Sequence, residues 1–423
     1  MRPRRLMPAS SPPASEHSSA PRRFRSAYTL IAIVVLNTIA LFVIINAAAA
    51  VWLRLQRDKP VTYERAWLIE GYGLDTLARN YPGMSRDDLT TLLYETSNWI
   101  QEYEPFTGFR PVTRHDRFIT ISPHGFRPVP EQAPWPPPSG GTTIFLFGGS
   151  TMMGAGVPDG ATIAAHLQTE LAPCNPEVSI YNFGRGFYFS SQERILFEQL
   201  LLAGRRPTLA VFFDGLNDFY FAEGVPQYTQ EMSSFMKRGA GLPDDPSLSA
   251  SLSAVARQLP MARIAAKYLR TPEPLPAFGQ APPDSGGTDE ERISGVLARW
   301  ERNREIIRAT AAALNIRSAF VWQPVPTYGY DQTKLTVYRE GVDLFGAHKL
   351  SGLGYPEAAR RYSDGKSGRD VLWLGDIQRN RADNLYVDAV HYTSGFSAEI
   401  ARLIGRYLTT EQLIPCGPRT NGE

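Results

Sequence analysis

The sequence predicts an α/β fold, a parallel sheet covered by helices, with one transmembrane helix ahead of it. Two observations predict this. No charged residue lies between Arg25 and Arg54, an interval of 28 residues. Farther on, four short apolar runs alternate with helix-patterned segments: TTIFLF (142–147), VSIYNF (178–183), TLAVFF (208–213) and SAFVWQ (318–323). Strands that are apolar on both sides are buried on both faces, which a parallel sheet with helical crossovers provides.

The 423 residues suit one large domain with appendages. Apolar residues make up 43% and charged residues 20%, a globular composition. The first 25 residues hold six arginines and one glutamate, hence +5, which leaves −3 for the other 398. A broad basic surface for nucleic acid is therefore not expected. The two cysteines, Cys174 and Cys416, are too few and too far apart for a structural zinc site.

The uncharged interval, SAYTLIAIVVLNTIALFVIINAAAAVWL, spans roughly 40 Å as a helix at about 1.5 Å per residue, more than the ~30 Å hydrocarbon core. It is apolar on all faces and flanked by arginine, unlike a core helix. Residues 27–53 are thus expected to cross the membrane. Six arginines precede the span, and Arg54, Arg57 and Lys59 follow it, which favours a cytoplasmic N-terminus. The chain is then a single-pass protein of the inner (cytoplasmic) membrane with a periplasmic or extracellular domain. A cleaved leader is the competing reading, since Ala47–Ala49 suits a peptidase, but the apolar stretch is long for one. Residues 1–26, rich in Pro, Ser and Arg, form the cytoplasmic tail.

Residues 54–141 are expected to be a helical and extended extension. SRDDLTTLLYETSNWIQEY (85–103) has a helix start at Ser85 and Asp88, and RFITIS (117–122) has a strand pattern. PVPEQAPWPPPSGG (128–141) has the prolines of a linker. The main domain is expected at 142–415, with excursions at about 219–287 and 327–383, and a short tail at 416–423. Helices are expected in DGATIAAHLQTEL and QERILFEQLLLAG. Thr288 and Glu291 match a capping box, and Ile293, Val296, Leu297, Trp300, Ile307 and Leu314 follow at helical spacing. In an exported domain Cys174, just before a strand, and Cys416, just after the last helix, can pair as a disulfide.

Three segments carry groups capable of chemistry, each just past an expected strand end or just before a helix; open α/β sheets bind ligands at the carboxyl edge of their strands. FGGSTMMG (147–154) places Ser150 between a strand and a helix. It is not the G-x-S-x-G elbow, because Gly154 stands at the wrong offset. By itself such a turn is most often a helix cap. FFDGLNDF (212–219) places Asn217 after a glycine turn, where its amide can meet a developing oxyanion, although Gly and Asn also form plain turns. YVDAVHYTSGFSAEIARLI (386–404) sets Asp388 three residues before His391, ahead of an amphipathic helix. A carboxylate there can hold one imidazole nitrogen and leave the other as a general base.

Together, in this order, these segments resemble the SGNH (GDSL-type) hydrolase superfamily over roughly Thr142–Leu408. The resemblance implies a flavodoxin-like sandwich of about five parallel strands. It implies that Ser150 is the nucleophile, His391 the base and Asp388 its orienting carboxylate. Ser150 N–H, a glycine amide and Asn217, from Gly215-Leu216-Asn217-Asp218, would form the oxyanion hole. NFGRGFYFS (182–190) offers Gly184 and Gly186 for the glycine, and Gly186 is the one expected to serve. Gly149 stands where the family has Asp before the serine.

The expected activity is that of a membrane-anchored extracytoplasmic serine esterase, with no metal or organic cofactor, acting on acyl or acetyl esters of envelope glycans or lipids. Acyl transfer by the same triad and a non-catalytic, glycan- or partner-binding envelope protein are the alternatives. Phe187, Tyr188, Phe219 and Tyr220 lie beside the motifs as a substrate wall or as plain packing.

Overall fold

A computed structural model describes residues 20–57, 66–98, 100–138, 140–239, 259–269, 286–365 and 368–416 of the chain. In it the apolar runs become one sheet of five strands. These are β1 (Thr142–Gly148), β2 (Val178–Asn182), β3 (Leu209–Asp214), β4 (Arg317–Trp322) and β5 (Val371–Trp373). All neighbours are parallel, in the order β2-β1-β3-β4-β5. This is the flavodoxin-like order, whose switch point lies between β1 and β3 and leaves a crevice at their carboxyl ends. Every residue of β1, β2 and β3 is buried, as their unbroken apolar pattern requires.

Register lines up side chains across the strands. Phe147, Phe212 and Phe320 are successive partners on β1, β3 and β4. Their rings stack with centroids 4.8 and 5.4 Å apart. Helices Ile163–Leu171 and Ser394–Thr410 pack on each other, as do Ser190–Leu202 and Asp289–Ala313. Their starts are set by local chemistry. Thr162 and Thr393 accept amide hydrogens of Ala165 and Phe396, and Thr288 with Glu291 closes the expected capping box.

The chain divides into two units. One comprises Met1–Pro60 and Asp245–Thr271, and the other comprises Val61–Asp244 and Pro272–Glu423. The first contains the long helix Ala20–Arg57, whose span Ala27–Arg54 is long and apolar enough to cross a membrane, together with the helix Pro260–Leu269. The sheet belongs to the second. The tail expected at 1–26 lies outside the described residues up to residue 19, as do 240–258 and 270–285 of the first excursion and 417–423 of the C-terminal tail.

Several expectations need correction. The helix begun at Ser85 ends at Ser97, and Gln101–Glu104 is instead a strand paired antiparallel with Gly108–Pro111. In 117–122 only Thr120–Ile121 is strand. The proline-rich stretch is not a free linker, because the Trp135 ring packs tilted or edge-on against Phe126, Phe145, Tyr181 and Phe183. Residues 327–383 are not an excursion from the sandwich. They supply the helix Lys349–Tyr362 and the edge strand β5. Three residues, two of them only half-buried, carry too little pattern to announce a strand.

Candidate active site

β1 ends at Gly148, and Ser150 opens a one-turn helix, Ser150–Met153. The turn is tight. A Cβ on Gly148 would sit 2.6 Å from Met152 Cβ, and one on Gly149 would sit 2.4 Å from Asn217 Nδ2. Glycine at 149, where the resemblance expected aspartate, lets the Asn217 amide close on the residue before Ser150. As the first residue of its helix, Ser150 has an N–H with no intrahelical acceptor.

The segment Asp388–His391 lies in a loop closed by the bridge Tyr386–Tyr392 and by Val387 N–H donating to His391 O at 2.8 Å. Asp388 Oδ1 accepts the amides of Val390 and His391 at 2.9 and 2.8 Å. Asp388 Oδ2 lies 2.7 Å from His391 Nδ1, and His391 Nε2 lies 2.8 Å from Ser150 Oγ. With Nδ1–H donating to the carboxylate, Nε2 is left to accept the Ser150 hydroxyl proton. Asp388 and His391 are buried, and Ser150 is half-buried. Burial by itself pushes the Asp388 carboxyl up. The His391 charge, the ring hydrogen bond and the two amides outweigh it and hold the carboxyl below its ordinary value.

The three expected oxyanion donors come from different strand ends. Asn217 Nδ2 donates one hydrogen to Tyr188 O at 2.7 Å, which fixes the amide and leaves its second hydrogen. Gly184 is ill suited, because its N–H donates to Asn182 Oδ1 at 3.0 Å and a Cβ there would meet Met153 N at 2.5 Å. Gly186 differs. It is buried in a turn closed by Tyr188 N–H to Arg185 O, and no acceptor among the described residues takes its N–H. Gly215 precedes Asn217 with φ +121°, and a Cβ there would lie 2.3 Å from the Tyr355 hydroxyl. A hydroxyl, an imidazole and a carboxylate in hydrogen-bonded series, beside unspent amides, make an arrangement suited to acyl transfer from an ester. No group of His, Cys, Asp and Glu among the described residues has the geometry of a metal site.

No family model matches the chain, and no curated protein matches it. Several solved structures do. A lipolytic protein of the G-D-S-L family from Desulfitobacterium hafniense is 14% identical, covering 64% of this chain and 99% of its own, at a TM-score of 0.32. Est24, a carbohydrate acetylesterase from Sinorhizobium meliloti, is 11% identical over 64% and 99%, at 0.33. A catalytic mutant of Axe2, an acetylxylan esterase from Geobacillus stearothermophilus, is 12% identical over 64% and 96%, also at 0.33. With TM-scores this low, the fold rests on the strand order and register above.

The aromatic wall turns out to be mostly packing. Tyr188, Phe219 and Tyr220 are buried, and only Phe187, with φ +65°, is half-exposed. Other supporting residues gave no sign in the sequence. Arg127, fully buried, donates to the carbonyls of Met153, Gly154 and Val157 and to Asp159, pinning the segment after Ser150. Tyr81 donates to Gly156 O at 2.7 Å, and Asn80 donates to Val387 O at 2.8 Å, beside Asp388. All three come from the extension, not the sandwich. His348 is buried with its ring 4.4 Å from that of Tyr220. Burial first, and the neighbouring His391 second, push its imidazole down to about 3, so it stays neutral.

Around the end of β3 lies a buried group of acids, Glu193, Asp214 and Asp218. Ser190 Oγ donates to Asp218, and Trp300 Nε1 donates to Asp214 Oδ2 at 3.1 Å. Burial, then the Asp218 charge, push the Asp214 carboxyl up to about 8.

Cys174 and Cys416, separated by 242 residues, are joined as a disulfide with Cα atoms 4.9 Å apart.

Proposed function

We propose that the chain is a serine esterase of SGNH type, anchored in the cytoplasmic membrane by Ala27–Arg54 with its catalytic domain outside. The observation that carries the proposal is the unbroken series Ser150–His391–Asp388, with links of 2.8 and 2.7 Å. His391 Nε2 takes the hydroxyl proton as Ser150 Oγ attacks the ester carbonyl. Asp388 stabilises the imidazolium. Ser150 N–H, Gly186 N–H and the second Asn217 hydrogen hold the oxyanion. The imidazolium then gives its proton to the leaving alkoxide, and water, activated by the same nitrogen, releases the acid.

The substrate class that fits a membrane-tethered site is an acyl or acetyl ester on an envelope glycan or lipid. A purely binding version of the fold has no need to keep the hydroxyl within 2.8 Å of the imidazole. The test is fluorophosphonate labelling of the intact protein, with hydrolysis of a short-chain aryl ester in parallel. Ser150→Ala is expected to abolish labelling and lower kcat by about 10⁴ or more. Undiminished turnover would remove Ser150 from the role. Mass spectrometry with an added glycan acceptor separates hydrolysis from acyl transfer.

A further inference from the structure

The anchor helix is longer than a membrane needs. Its apolar span Ala27–Arg54, 28 residues, measures about 42 Å, against a hydrocarbon core of about 30 Å. With the N-terminal arginines at one headgroup layer, about 20 residues fill the core. The rest, from about Ala47 to Arg54, rise into the opposite headgroup layer.

That surplus turn is where the anchor has a partner. From Tyr28 to Ile45 its residues are exposed, as a lipid-facing helix requires. Then Ala49 falls to 5% exposure, and Asn46, Ala50 and Leu53 are half-buried. Positions 46, 49, 50 and 53 share one helical face. The helix Pro260–Leu269, in the same unit, packs against the anchor. Asn46 Oδ1 accepts the Met261 N–H at 3.2 Å, satisfying one of the orphan amides of that helix start, while Asn46 Nδ2 donates to Phe42 O at 3.0 Å. Alanines let two backbones approach, and an interhelical polar bond fixes their register, which is how helices associate where water is scarce.

The docked helix has a composition suited to the interface. PMARIAAKYL puts Arg263 and Lys267 one turn apart, with a tyrosine next to the lysine, among apolar residues. Cations within a short apolar helix, and an amphipathic ring, suit the anionic headgroup layer.

We propose that Pro260–Leu269 is a membrane-interface helix, seated in the outer headgroup layer against the Asn46–Leu53 face of the anchor. The chain then meets lipid at two places far apart in sequence, and Ala47–Ala50 is a packing seat and not a peptidase site. This rests on the anchor reading above, and the experiment separates the two. Asn46→Cys with Met261→Cys is made in the full chain, whose own cysteines are paired, and membranes are oxidised. A disulfide joining positions 46 and 261, found by peptide mass spectrometry, is expected. Leu36→Cys with Met261→Cys, about 15 Å farther down the helix, is expected to give none. Absence of the 46–261 link in chains that keep their N-terminus and resist alkaline extraction overturns the proposal and spares the anchor. Chains lacking residues 1–47 would sink both. A nitroxide on Met261→Cys alone, in vesicles of phosphatidylglycerol and phosphatidylcholine, gives a second readout. It should collide more with oxygen than with an aqueous nickel chelate, and the reverse order places the helix in water and refutes the assignment.

Discussion

Two side chains decide different properties of the same strand end. Asn217 is held by Tyr188 O, and its Nδ2 lies close to Gly149, the residue before Ser150. If the second Nδ2 hydrogen meets the oxyanion, its loss is felt in the transition state and not in substrate binding. Asn217→Ala is expected to lower kcat by about 10²–10³ with KM little changed, as removal of one such donor does elsewhere. Steady-state kinetics with the aryl ester checks it, and an equal rise in KM alone would count against the assignment. Asp214 works on stability. Its folded pKa of about 8 lies above the ordinary 3.8. Between these values the folded chain keeps a proton that the unfolded chain has released, so stability falls as pH rises from about 4 to about 8 and levels off above. Asp214→Asn keeps an acceptor for Trp300 Nε1 and removes the titration. Urea unfolding across pH 5–8.5 should show a flatter decline than the parent chain, and parallel declines would exonerate Asp214. Ser150, Asn217 and the Asp388–His391 pair of the proposed site could be singled out in the sequence because each stood next to a strand or helix boundary. Asp214 and Glu193 could not, because a buried carboxylate reads in sequence like any surface acid.

At the scale of elements, the sheet was legible where its strands were long and apolar on both faces, and illegible at β5, where three residues sit on an edge. The extension was the larger gap. Its pattern predicted helices, one strand and a linker, yet Asn80, Tyr81 and Arg127 reach the two segments that carry Asp388 and Ser150. Contacts between positions 26, 75 and 307 residues apart leave no periodicity to read. Arg127 is the sharpest case, because an arginine flanked by proline looks solvent-exposed, whereas its side chain is wholly buried and ion-paired to Asp159 at 2.8 Å. Arg127→Leu would strand three carbonyls and one carboxylate, so a loss of about 3 kcal/mol is expected. Because those carbonyls belong to the segment that follows Ser150, kcat should fall with stability. Thermal unfolding and ester turnover on the same preparation check this. Full activity in a destabilised variant would make Arg127 a fold residue with no hold on the site.

At the scale of the whole sheet-bearing unit, Ser150 and His391 lie 241 residues apart in sequence, and the last helix returns to pack on the sandwich. Ser394–Thr410 follows His391 directly and packs on Ile163–Leu171, the helix that follows the Ser150 segment. The position of His391 relative to Ser150 thus depends on how firmly this final helix is held. Just beyond it, the Cys174–Cys416 bridge closes a loop spanning 242 residues, and Asn175 Nδ2 donates beside it to Pro415 O at 2.9 Å and to Thr142 Oγ1 at 2.8 Å. A crosslink over so long a loop restricts the unfolded chain most, and its typical value is about 2–4 kcal/mol. The Asn175 bonds and the buried face of the final helix remain when the bridge is absent. Cys174→Ser with Cys416→Ser is therefore expected to lower the melting temperature by several degrees while kcat at 25 °C stays within about twofold. Calorimetry and ester kinetics test the two halves separately. A large loss of turnover at a temperature where the variant is still folded would mean that the bridge sets the Ser150–His391 distance itself, and that the final helix does not hold it alone.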